Sequence, residues 1–196
     1  MYCDIRGLIT TGVGNLIDPV RAALALKWRH PDGGLAGVDE IRAQWSRLKA
    51  IAADAAHHNP PVQAKLAALT LHLDDDAIDE LVLARLESNA ADIAHRYFPR
   101  FADFPADAQL AIMSLAWAAG SGWPAKFPHA NAAILAGDWA HAALEAVLST
   151  HTPEGIENVG VIPRNDAQKI CFANAAAVVS NNLDPAVLWY PSFPHD

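Results

Sequence analysis

Positive charge is scarce in this sequence: Lys and Arg number 14 against 22 Asp and Glu, a net charge of −8. A nucleic-acid footprint needs clustered cations, so no nucleic-acid partner is expected. Cysteine is rarer still, with only Cys3 and Cys171 near opposite ends. No pairing between them follows from sequence, and two reduced thiols fit a chain made in a reducing compartment. Long apolar runs are also missing: none approaches the ~18 residues of a membrane span, and no basic segment followed by an apolar one opens the chain. The expectation is synthesis in the cytoplasm without a standard signal peptide, and no membrane span.

Several site signatures are absent as well. Gly12-Val13-Gly14 suggests a nucleotide loop, but Ile17 stands where the dinucleotide fingerprint needs its third glycine, and no βαβ alternation follows. No Gly-Lys-Ser/Thr follows a glycine loop. His57, His58, His129, His141 and His151 lack the paired spacing of metal ligands, and solvated surface histidines account for them. Asp74-Asp75-Asp76 lacks the alternating ligands, mid-loop glycine and closing glutamate of a calcium loop, so helix capping explains it. Gly120-Ser121-Gly122 lacks the spacing of a nucleophile elbow, and Cys171 falls in a helical pattern where an inert thiol is expected. No metal and no cofactor are expected.

What is present is a chain of 196 residues, 52% apolar, long enough for one well-buried core. Residues 1–18 are the stretch that reads as sheet: a turn at Asp4-Ile5-Arg6-Gly7, then the β-branched run Leu8-Ile9-Thr10-Thr11, together a small hairpin. Beyond it the periodicity is helical. Ile41, Trp45, Leu48 and Ile51 line one face, and three aspartates at 74–76 lead a longer helix. In "DAQLAIMSLAWAAG" Leu110, Ile112, Met113, Leu115 and Trp117 cover nearly all sides, which predicts a central helix buried all round. Asp138 is placed to cap the next helix, and Asn165 with Gln168 suggests a capping box for the last. Pro60-Pro61, Pro105 and Pro163 mark connections. The reading is one domain over 1–196, α+β and mainly α, with a hairpin lobe at 1–18 and a mainly helical body at 19–196. Clefts commonly form where two such lobes meet.

The chemistry that remains is in the hairpin. Asp4 precedes a tight turn, Thr10 sits on the returning strand, and Gly12 and Gly14 let the backbone bend or a ligand approach closely. A carboxylate and a hydroxyl brought together across a hairpin can hold a water for nucleophilic attack. The same two residues also suit a turn-starting aspartate and a threonine chosen for its β-propensity.

"YCDIRGLITTGVGNLI" resembles the active-site hairpin of the phage-type lysozymes, glycoside hydrolase family 24. That hairpin runs Tyr-x-Asp-x-x-Gly-x-x-Thr-x-Gly-x-Gly, and Tyr2, Asp4, Gly7, Thr10, Gly12 and Gly14 all fall in register. "DAQLAIMSLAWAAGSG", "GDWAHAALEAVLS" and "ENVGVIPRNDAQKICF" are similar to the family's central helix, its following tryptophan helix and its C-terminal loop and helix start. The resemblance implies a lysozyme-like fold and a muramidase, an inverting enzyme cutting between N-acetylmuramic acid and N-acetylglucosamine. It makes Asp4 and Thr10 the holders of the attacking water. It places Leu16 and Trp117 along the sugar cleft, and leaves Tyr2, Gly7, Gly12 and Gly14 structural roles in the hairpin. Core packing explains Trp117 equally well.

Two departures accompany the likeness. The family's proton-donating glutamate stands about seven residues before the tyrosine, a register position ahead of Met1. Glu40, Glu154 and Glu157 are substitutes conceivable only in folded space. The expectation is therefore an enzyme chain started late, with a relocated acid or a non-catalytic glycan-binding or structural module of the same fold as the alternatives. A chain lacking the family's first helix is also expected to have a looser cleft lobe than its body. The second departure is charge, because an acidic chain is steered weakly to an anionic wall. That suits an endolysin or antibacterial effector acting as a monomer on the peptidoglycan glycan strand in the cell wall or periplasm, delivered by a holin or a secretion machine.

Overall fold

The protein is described by a computed structural model over residues 1–4, 7–58, 70–151, 155 and 157–194. The side chains of His57 and His58, and Pro60, Pro61 and Glu154, lie outside the described residues. Among the described residues the chain is mainly helical with one small antiparallel sheet, an α+β arrangement. It divides into two compact units, Met1–Arg85 and Leu86–Asp196.

The first unit opens with three strands, β1 (Tyr2–Cys3), β2 (Ile9–Thr11) and β3 (Asn15–Leu16), in the order β1-β2-β3. Sequence reading finds the first two; the third exists because Gly12 (φ +54°) and Gly14 (φ +101°) reverse the chain within four residues of Thr11. Helix α1 (Val20–Leu24) follows, then α2 (Val38–His58) with its periodic face inward: Ile41 and Leu48 are buried, Trp45 partly so. Glu40 receives the Gly37 amide at 2.7 Å, the reciprocal half of a capping box at the start of α2. Ile9, Ile17, Ala23, Trp28, Leu71 and Leu73 complete this unit's core.

Helix α3 (Asp75–Arg96) begins as the aspartate run predicts, with Asp75 and Asp76 in its first turn. Asp74 stands one residue ahead, its carbonyl accepting the Ile78 amide and its carboxylate paired with Arg29. The unit boundary falls within α3.

The second unit contains α4 (Ala106–Ala119), α5 (Pro128–Ala136), α6 (Trp139–Glu145) and α7 (Ile162–Ser180). Sequence reading had no element for α5 or for the short α1. Helix α4 packs on α7, and its Ala108, Ala111, Ile112, Leu115 and Ala116 are buried. It is not buried all round, however: Leu110 is 38% exposed, and Met113 and Trp117 are half-buried. Ala108, Ala111 and Ala116 share the buried face with Ile112 and Leu115, and Leu110, Met113 and Trp117 stand on the more open sides.

Gly120 ends α4 at φ +84°, and Asp138 caps α6 by accepting the His141 amide at 3.0 Å, as expected of that aspartate. Asn165 does not head a capping box. Helix α7 starts three residues earlier, with Pro163 in its first turn, where a missing N–H costs nothing. Asn165 instead clamps Leu148, accepting its amide at 3.0 Å and donating to its carbonyl at 2.9 Å. Gln168 donates to the Ser114 hydroxyl at 3.1 Å.

Asp107 is fully buried on α4. Its carboxylate accepts the amides of Trp189 (2.8 Å) and Tyr190 (2.9 Å) and the Asn174 side-chain amide (2.8 Å), fastening the C-terminal tail to α4 and α7. Removing it takes the acceptor from the part-buried amides of Trp189 and Tyr190 and one of two acceptors from the Asn174 side-chain amide, which keeps the Ser192 carbonyl at 2.8 Å, each loss costing about 1–3 kcal/mol. Asp107→Ala is therefore expected to destabilise the second unit by roughly 3 kcal/mol or more, read by denaturant unfolding, with the Trp189 and Tyr190 amides losing hydrogen-exchange protection.

Candidate active site

The sheet gathers most of the residues that the sequence singles out. Tyr2 faces Thr10 across β1 and β2, and Thr10 faces Leu16 across β2 and β3. Side chains alternate along a strand, so these three share one face of the sheet. The ladder runs on by one bond, Asp4 N–H to the Leu8 carbonyl at 2.9 Å, which puts Asp4 on that same face, diagonal to Thr10. Cys3, Ile9 and Ile17 occupy the opposite face, against the core.

Each site side chain has a local reason for its position. Asp4 Oδ1 accepts the Leu8 amide at 2.8 Å, and the Asp4 carbonyl accepts the Gly7 amide at 3.0 Å, closing the turn. Gly7 adopts φ +74°, open to glycine and strained for other residues. Thr10 is 5% exposed and its hydroxyl reaches the Tyr2 carbonyl at 3.5 Å, a long bond, whereas Leu16 is 46% exposed. Trp117 belongs to the second unit, half-buried in the last turn of α4.

The substitutes for a second acid fare differently. Glu40 is engaged with the Gly37 amide and stands 3.4 Å from His30. Glu157 is exposed, in an isolated bridge with His151.

Sequence reading missed the residues that hold the sheet from behind. Trp45 Nε1 donates to the Ile17 carbonyl at 3.0 Å. One helical step later, Lys49 Nζ donates to the Gly7 carbonyl at 3.0 Å and pairs with Asp18, whose side chain is 14% exposed. The i, i+4 spacing of Trp45 and Lys49 was the available signal. The Cys3 thiol is pushed above its ordinary range first by burial and then by the Asp4 carboxylate, with Lys49 opposing. Cys171 is pushed up to about 12 by burial and by Asp107, so both free thiols stay protonated near neutral pH.

Among the described residues no group of three or more His, Cys, Asp or Glu side chains could hold a metal ion, and no helix is long and apolar enough to cross a membrane. His129, His141 and His151 are exposed. Comparison with known proteins finds no matching family model, no similar curated protein and no similar solved structure.

Gly12 carries the tightest constraint of the sheet. A Cβ there would meet Ile78 Cγ2 at 3.0 Å on a backbone already at φ +54°. At Gly137, which ends α5 in the left-handed region (φ +70°, ψ +16°), the φ is also positive but nothing lies within 4 Å. Gly12→Ala is thus expected to cost about 2–3 kcal/mol and Gly137→Ala only about 1; equal losses in chemical denaturation would contradict the packing of this turn on α3.

Proposed function

We propose that this chain is a peptidoglycan hydrolase of the muramidase type with a lysozyme-like fold, and that its sheet is the water-holding side of the active site. The reading is carried by one observation: the residues of the Tyr-x-Asp-x-x-Gly-x-x-Thr-x-Gly-x-Gly pattern form one sheet with Tyr2, Asp4, Thr10 and Leu16 on a common face. The glycines of the pattern sit at the three positive-φ positions that build the two turns.

In the proposed reaction the Asp4 carboxylate takes a proton from water while the water oxygen attacks the anomeric carbon of N-acetylmuramic acid. The bond to the leaving oxygen breaks as a carboxylic acid protonates it, and the anomeric centre inverts. A carboxylate accepts several hydrogen bonds, so holding the Leu8 amide and orienting a water are compatible roles for Asp4. Thr10 orients the same water, and Leu16 contacts the sugar rings. In a complete inverting pair the carboxyls stand roughly 6.5–9.5 Å apart. No cofactor takes part. The site of action is the cell wall, reached through a holin or a secretion machine, with the protein acting as a monomer on the glycan strand.

The test is muropeptide release from purified peptidoglycan, by this chain and by a form extended ahead of Met1 with a helix bearing a glutamate about seven residues before Tyr2. Release is expected to fall about 100-fold or more in Asp4→Asn and about tenfold in Thr10→Val. Unchanged release by Asp4→Asn would overturn the assignment, and tight glycan binding without release by either form would make the domain a glycan-binding module.

A further inference from the structure

We infer that Lys49 is a positioning residue that aims the Asp4 carboxylate through a single peptide group. The Gly7 carbonyl and the Leu8 N–H belong to the same peptide. Its oxygen accepts the Lys49 ammonium at 3.0 Å, and its N–H donates to Asp4 Oδ1 at 2.8 Å. A trans peptide is planar with its C=O and N–H pointing in opposite directions. A cation that fixes the carbonyl on one side therefore fixes the direction of the N–H on the other. A charge at the carbonyl also polarises the amide and strengthens its donation to the carboxylate.

The ammonium itself is held. Asp18, just after the third strand, pairs with it, and its stem rises from α2 one step beyond Trp45, whose indole donates to the Ile17 carbonyl. Lys49 thus joins the exit of the sheet to its first turn, and Gly7 at φ +74° lets that turn present its carbonyl to the helix. A partly buried ion pair of this kind contributes little net stability compared with an apolar side chain of similar volume. Its use lies in orientation.

This role rests on the muramidase reading for its effect on rate, but the geometry has its own readout. In Lys49→Met the Leu8 amide is expected to lose at least tenfold in hydrogen-exchange protection while the Ile17 amide, bonded to the Ile9 carbonyl at 2.9 Å, keeps its own. The muropeptide-releasing kcat should fall about tenfold with KM within about twofold, and Lys49→Arg, which still donates, should restore both. Unchanged Leu8 protection in Lys49→Met would overturn the inference. So would an equal loss at Ile17, which would make Lys49 a support of the whole sheet. If neither the unsubstituted chain nor its glutamate-bearing extended form releases muropeptides the functional reading fails, and the Leu8 amide alone decides the part played by Lys49.

Discussion

The pair of hydrogen bonds between Asp4 and Leu8 sets the register of the sheet. Asp4 N–H meets the Leu8 carbonyl, and the Leu8 N–H returns to the Asp4 carboxylate. With those two residues opposite each other, Tyr2 faces Thr10, and the turn through Gly12 and Gly14 then sets Thr10 against Leu16. A slip of one residue would send Ile9 and Ile17 out of the core and turn Thr10 inward. The carboxylate proposed to orient water is thus also the one that closes the turn, and the site and its scaffold cannot be separated at this position.

The second unit solves a different problem. Its core is aromatic, with Trp139 stacked on Phe172 at 6.4 Å and Phe104 edge-on to Trp139 at 5.1 Å. Apolar packing there needs no exact register, but the tail after α7 has no regular partner. Asp107 supplies one, acting as a buried acceptor for main-chain donors that would otherwise be orphaned. In both units a single aspartate does work that regular secondary structure cannot: Asp4 at a strand turn, and Asp107 under a tail.

The legible part of the sequence was the part governed by short-range rules. Ile41, Trp45 and Leu48 fall at helical spacing and form the inner face of α2; Asp138 caps where a capping aspartate should; the glycines of the opening motif occupy positive φ. Asn165 was misread because the residue type that caps a helix also clamps a neighbouring strand of chain, and only the folded position of Leu148 decides between them. The exposure of Leu110 was hidden because an all-apolar wheel does not say which face turns to the core. Within the site, Asp4, Thr10 and the glycines were legible as a pattern. Lys49 was not, since its partners Gly7 and Asp18 lie 42 and 31 residues away in sequence.

The central claim is that the face carrying Asp4 and Thr10 delivers water directly to an anomeric carbon. Proton NMR of the first products from a soluble β-linked peptidoglycan glycan fragment, recorded before mutarotation, tests it most directly. Direct attack by water predicts an α-anomeric reducing end as the initial product. An initial β-anomer, or a product closed without water on its own hydroxyl, would contradict it.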